Sequence, residues 1–179
     1  MTLRTVIGAI VAILVAQFPG VSLAAADDPW TDANGKAEAT RTIVSCLTNV
    51  SSSELQHAKD RCIGAPLDVC ADRHARNEMT LGECARFTGE AWGDRLQQQI
   101  GRMRAATGPL ARDFEDSQGR WRAWTEKDCA FQAAPAEGGS MYGELLSACV
   151  FTHAAQRALE LEALADEWEI HPPNLPSGR

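Results

Sequence analysis

The sequence predicts an all-α fold, a compact bundle of about five helices stapled by disulfides. Three observations carry that reading. Apolar residues recur at steps of three and four, the signal of helices that each bury one face. No stretch sustains the alternation of a β-strand, and no internal repeat is present. Six cysteines, an even number, follow an N-terminus with an export pattern, and an even count in an exported chain reads as a disulfide framework.

The export pattern has three parts. "MTLR" is a short basic start, Thr5 to Phe18 is an uncharged apolar run, and "PGVSLAAA" ends in small residues. That is a secretory signal, and its apolar run falls short of the roughly 20 residues a membrane span needs. Cleavage after Ala24, with Ser22 at the −3 position, fits the small-x-small rule; cleavage after Ala26 fits nearly as well. The expected organisation is a signal over 1–24, a flexible leader over 25–35, a helical domain over 36–168 and a flexible proline-rich tail over 169–179. A periplasmic or secreted location follows, with no stable membrane anchor once the signal is removed. The full chain carries 17 basic and 24 acidic residues. The first 24 residues contain Arg4 alone among charged residues, so the mature balance is 16 against 24, or −8. Such a surface suits no nucleic acid and complements a cationic protein.

The helices are read in order. Ile43, Leu47 and Val50 mark the inner face of the first. Ser51 with Glu54, and Ser53 with Gln56, are capping boxes for a second, whose inner face is Leu55, Ala58, Cys62 and Ala65, and which Pro66 should kink or break. Thr80 with Glu83 opens the third, with Met79 packed on Cys84 as a staple; Trp92, Leu96, Ile100 and Met103 continue its stripe. "ATGPLA" breaks the chain before the fourth. There Leu110, Phe114, Ser117, Trp121, Trp124, Asp128 and Phe131 form a heptad-like seam, which places both tryptophans in the core and Cys129 at its edge. "AAPAEGGS" is a Pro/Gly loop with Ser140 as N-cap of a fifth helix running from about Met141 to Trp168. That helix is apolar at its start and acidic at its end.

Cys129 and Cys149 flank the Pro/Gly loop on consecutive helices, so they are the pair expected first. A link there closes about 20 residues and is worth roughly 3 kcal/mol on the chain-entropy estimate. Cys70 with Cys84 and Cys46 with Cys62 complete one of fifteen connectivities, and exchanges among those four stay open. Asp128, a carboxylate in an apolar row, should pair with an arginine such as Arg157 or reach solvent. His153 lies one turn after Cys149, a spacing that can bind metal, but a disulfide-bonded Cys149 cannot. No nucleophile elbow or phosphate loop is present, no catalytic residue stands out, and no cofactor is implied. The expectation is a non-enzyme.

The C-terminal half carries the pattern Q-x2-W-x6-DC at Gln118, Trp121, Asp128 and Cys129. It continues with Gly138, Gly139 and Ser140, then Cys149, Thr152, Arg157 and Leu161. With "CIGAPLDVC" and "MTLGECARFTGEAWGDRL" upstream, the stretch from Cys46 to Ala165 resembles the LprI-type lysozyme inhibitor N-terminal domain, a bacterial family mostly of unknown function. It departs from that family at Thr125, Glu126 and Lys127, where an aromatic-Arg-Asp step is usual. It departs again at Leu96-Gln97, where Leu-Asn is usual, and it lacks the tyrosine that typically follows. The resemblance implies an exported, disulfide-linked helical domain that binds a cationic partner such as lysozyme, with inhibition of lysozyme or a related cell-wall hydrolase as its activity. Asp128, Glu160, Glu162 and Asp166 are the expected contact residues. The alternative is a binder of a small apolar ligand or lipid, held in a helical cage of Trp92, Trp121 and Trp124.

Overall fold

The computed structural model describes residues 30–31, 34–50, 59–74 and 78–170. Among them the α-helices are α1 (Gly35–Asn49), α2 (Ala65–Arg73), α3 (Glu78–Thr107), α4 (Ala111–Ala133) and α5 (Met141–Ile170). Short 3-10 turns, Gly108–Leu110 and Ala134–Ala136, precede and follow α4. No strand occurs among the described residues. Among the described residues the fold is all-α, with four long helices, the nine-residue α2, and a helical end at Lys59 and Asp60. The export segment, the capping boxes of 51–58 with Leu55 and Ala58, and the tail from 171 onward lie outside the described residues.

Two helix boundaries differ from the sequence reading. The break expected at Pro66 comes a few residues earlier: Lys59 and Asp60 are helical, a turn runs over Arg61 to Gly64, and Pro66 is the second residue of α2. At that position the missing N–H of proline is one the helix leaves unbonded anyway. Helix α3 begins at Glu78, ahead of the Thr80 cap, a difference within the usual uncertainty of helix ends.

Helices α3 and α5, each 30 residues long, pack along much of their length and form the spine of the bundle. From α3, Phe87, Ala91, Trp92, Leu96, Ile100 and Met103 are buried, as the three-and-four spacing of that stripe requires. From α5, Phe151, Ala155, Ala158, Leu159 and Ala165 meet them. The small residues let the helices approach closely; a Cβ placed on Gly89 would lie 3.4 Å from Cβ of Phe151. Helix α4 packs mainly on α5, and α1 and α2 pack on α3. The disulfides tie neighbours in the chain: Cys46–Cys62 joins α1 to the turn before α2, Cys70–Cys84 joins α2 to α3, and Cys129–Cys149 joins α4 to α5.

The N-terminal end is also packed. Trp30, within the stretch read as leader, is buried with its ring centroid 6.3 Å from that of Phe87. Gly35 is glycine for want of room, since a Cβ there would sit 2.4 Å from the Phe87 ring. Across the 3-10 turn, Arg104 binds Glu115 and joins the end of α3 to the start of α4. The Arg104 hydrogen bond holds the Glu115 carboxyl below its ordinary pKa. A group with a depressed folded pKa contributes stability that is present above its unfolded pKa and lost as pH falls through the folded value; for this exposed pair the effect is small. No described helix is long and apolar enough to cross a membrane.

Trp92 connects the spine to the N-terminal helices. Its side chain is fully buried and its indole Nε1 donates to the Ile63 carbonyl at 3.0 Å. Trp92→Phe removes that donor and leaves a void, and should cost about 2–4 kcal/mol. The measurement is the urea midpoint, which should fall with an unchanged slope.

Candidate functional site

The outward face of the α4–α5 hairpin is set by the rotation of α4. Buried on α4 are Phe114, Gln118, Thr125, Cys129 and Ala133, a stripe at helical spacing that faces α5. The seam read from hydrophobicity therefore fails at Ser117, Trp124 and Phe131. Trp124 is 53% exposed, Phe131 is 80% exposed, Ser117 is exposed, and Trp121 is only partly buried against the core. With about 100° per residue, Trp124 and Phe131 lie about 140° and 160° round the helix from Cys129. Cys129 itself is fully buried rather than at the edge. The polar pair Gln118 and Thr125 occupies positions that a pattern reading gives to apolar residues.

Trp124 and Phe131 thus face outward, and half-buried Asp128 completes a stripe at i, i+4 and i+7, with its carboxylate turned toward α5. Of the alternatives for Asp128, an arginine such as Arg157 or solvent, the structure takes neither fully: the side chain is half-buried and its partners are a histidine and a glutamine. Its Oδ2 lies 2.9 Å from His153 Nε2 and accepts from Gln132 Nε2 at 2.7 Å. The Trp124 ring stands edge-on to His153, with centroids 4.8 Å apart. Beside this cluster runs an open groove of about 420 Å³ whose lining includes Gln132, Leu145, Cys149, Thr152 and His153. A second groove, about 360 Å³, lies higher on the same helix among Asp113, Asp116, Ser117 and Arg120.

The other motif residues support the hairpin. Arg157 Nε reaches Gln118 Oε1 at 3.4 Å, across from α5 to α4. Thr152 Oγ1 bonds back to the Ala148 carbonyl at 2.7 Å within α5. Gly138 has φ +81°, a backbone that side chains rarely adopt, and a Cβ on Gly139 would lie 3.2 Å from the Ala136 carbonyl. The glycines of this motif are therefore turn residues, and Ser140 is exposed just before α5.

The acidic end of α5 is largely neutralised from within. Arg95 reaches Glu162 at 2.5 Å, and both side chains are mostly shielded, at 20% and 18% exposed. Arg102 binds Asp166 at 2.8 Å and Glu169 at 2.7 Å, and those two bonds hold the Arg102 pKa above its ordinary value. Arg157 binds Glu160 at 3.0 Å. Glu162 is thus a strut between α3 and α5, while Glu160 and Asp166 remain mostly exposed beside their arginines. These pairings join residues more than 60 positions apart for Arg95 and Arg102, and no local pattern reveals them. The tryptophans do not form a cage: Trp92 is buried, Trp121 packs at the core edge and Trp124 points outward.

A family model described as lysozyme inhibitor LprI matches residues 70–161, just over half of the chain. The match begins at Cys70 and spans α3, α4, both glycine turns and most of α5. No curated protein and no solved structure matches.

Two tests follow from the packing. The Thr125 hydroxyl is buried without a hydrogen-bond partner, so Thr125→Val, of similar shape, should be stabilising by about 1 kcal/mol or more; thermal unfolding reads it. Glu162→Ala should cost about 1.5–3 kcal/mol, because it strands the shielded Arg95. Asp166→Ala should cost less than about 1 kcal/mol, and denaturant unfolding of the two variants side by side checks the contrast.

Proposed function

This chain belongs to the LprI lysozyme inhibitor family, and from that premise we propose that it is an exported, stoichiometric inhibitor of a lysozyme or a related cell-wall hydrolase. The observation that carries the reading is the outward stripe of Trp124, Asp128 and Phe131 on a disulfide-pinned helix. Large aromatic side chains in the open are anchors for a partner, and a carboxylate between them complements a cationic one. Lysozymes are commonly basic, and their cleft carries two catalytic carboxylates. A rigid acidic protein is steered toward such a surface and blocks the cleft by occupancy, with no catalytic residue of its own. Family membership supports the activity; the contact stripe is our assignment. Of the acidic residues expected at the contact, Asp128 lies in the stripe. Glu160 and Asp166 add peripheral charge, and Glu162 is replaced in that role by the aromatic anchors.

The test is a cell-wall hydrolysis assay, with oxidised mature protein beginning at Ala25 titrated into c-type lysozyme at low and at physiological salt. Saturable inhibition near one-to-one, kept at physiological salt, is the expected result. Trp124→Ala and Phe131→Ala remove exposed side chains and leave the fold intact; each should weaken inhibition by about 30-fold, the effect of a 2 kcal/mol anchor. Inhibition absent, or abolished by salt, would sink the proposal. Full inhibition by both variants would move the contact off α4.

A further inference from the structure

The hairpin disulfide sits inside a set of four metal-ligand donors. One carboxylate oxygen of Asp128, a ring nitrogen of His153 and the sulfurs of Cys129 and Cys149 all lie within 4.8 Å of one another. Asp128 and Cys129 are adjacent on α4, and Cys149 and His153 are one turn apart on α5, so two packed helices supply two donors each. His153 Nε2 already faces the Asp128 oxygen at 2.9 Å. Zinc binds nitrogen and oxygen near 2.0 Å and sulfur near 2.3 Å, which spaces tetrahedral donors about 3.3–3.8 Å apart. Opening the S–S bond lets the sulfurs part, the His–Asp pair parts by a few tenths of an ångström, and the widest pairs, up to 4.8 Å apart, close by about 1 Å to reach that spacing. The donor types are those zinc prefers. While the cysteines are joined, no thiolate exists to bind it.

We propose that Cys129–Cys149 is a two-state centre: a disulfide when oxidised, and a zinc site formed by Asp128, Cys129, Cys149 and His153 when a dithiol reductant has opened it. Cys149 lines the open groove while Cys129 is buried, so Cys149 Sγ is the sulfur open to attack. The reductant's thiolate bonds to that sulfur, and the S–S bond breaks with Cys129 leaving as thiolate. The second reductant thiol then displaces Cys149 and departs as the reductant's own disulfide. Two electrons pass to the protein, which holds two thiol groups. Zinc takes both as thiolates, and their two protons go to solvent. The metal then closes the α4–α5 hairpin in place of the covalent bond.

The experiment uses the full mature chain reduced with a phosphine, which cleaves each disulfide by the same two-electron change and leaves as its oxide. Cobalt(II) is titrated first, and zinc is added to displace it. Reduced wild type should take one cobalt per chain, with sulfur-to-cobalt charge transfer and a tetrahedral visible spectrum, and zinc should bleach both. Cys129→Ser/Cys149→Ser keeps the other four cysteines and should lose that spectrum. His153→Ala should weaken uptake about tenfold or more, since even an outer-shell partner of a metal ligand is worth 10–100-fold. Asp128→Asn keeps the side-chain shape and should weaken uptake comparably, with helicity by circular dichroism unchanged. Reduced wild type that takes no cobalt, whether folded or not, overturns the proposal. So does equal uptake by the double serine variant, or by the oxidised chain. The outcome is independent of lysozyme inhibition, which is measured on the oxidised protein.

Discussion

The Cys129–Cys149 bond fixes which side of α4 is inside. A cysteine joined across a helix pair must face its partner helix, and with about 100° per residue that single orientation dictates the rest. Thr125, Gln118 and Ala133 turn inward with Cys129, Trp124 and Phe131 turn out, and Asp128 lies on the flank against His153. The bond imposes this against hydrophobicity, because it buries an amide and a hydroxyl and exposes two aromatic rings. Gln118 Nε2 and Thr125 Oγ1 are buried without a hydrogen-bond partner, at a cost of about 1–3 kcal/mol each. The crosslink's chain-entropy contribution of roughly 3 kcal/mol opposes that cost. A helix held in an orientation its own amphipathicity would not choose is the feature from which the outward stripe follows.

That conflict also explains what was legible in the sequence. On α3 the stripe of Trp92, Leu96, Ile100 and Met103 is apolar and buried, so period alone locates the core. On α4 the same rule selects Trp124 and Phe131 and misses Gln118 and Thr125. A better guide was present: Gln118, Thr125 and Cys129 lie at i, i+7 and i+11, one helix face once the cysteine is taken as the fixed point. Pro66 marks the break to within a few residues, but a proline reads as a stop or as a first turn depending on what precedes it, so its place at the start of α2 is not legible. The His153–Asp128 contact and the arginine struts to Glu162 and Asp166 depend on how α3, α4 and α5 are set side by side, and local spacing does not encode that.

The shared motif and the proposed contact surface are largely different residues. Gln118 and Arg157 cross the hairpin, Gly138 and Gly139 make its turn, Thr152 bonds back within α5, and the cysteines close it. These positions specify how the hairpin is built, so a match over residues 70–161 speaks first for the scaffold. Asp128 alone is both a motif residue and a member of the outward stripe. The departures at Thr125, Glu126 and Lys127 fall beside it, with Thr125 turned inward and the other two on solvent. A scaffold of this kind can keep its interior while its outward residues change, and on the proposed contact choice of partner would reside in α4's exposed side. Within that division, the charge of α5 is mostly structural, because each carboxylate bound by Arg95 or Arg102 holds two helices together before it can attract anything else. Long-range steering by the net acidic surface survives such pairing. In the proposed contact, short-range recognition therefore falls first to the rings of Trp124 and Phe131, since Asp128, like the α5 carboxylates, is already engaged across the hairpin, by His153.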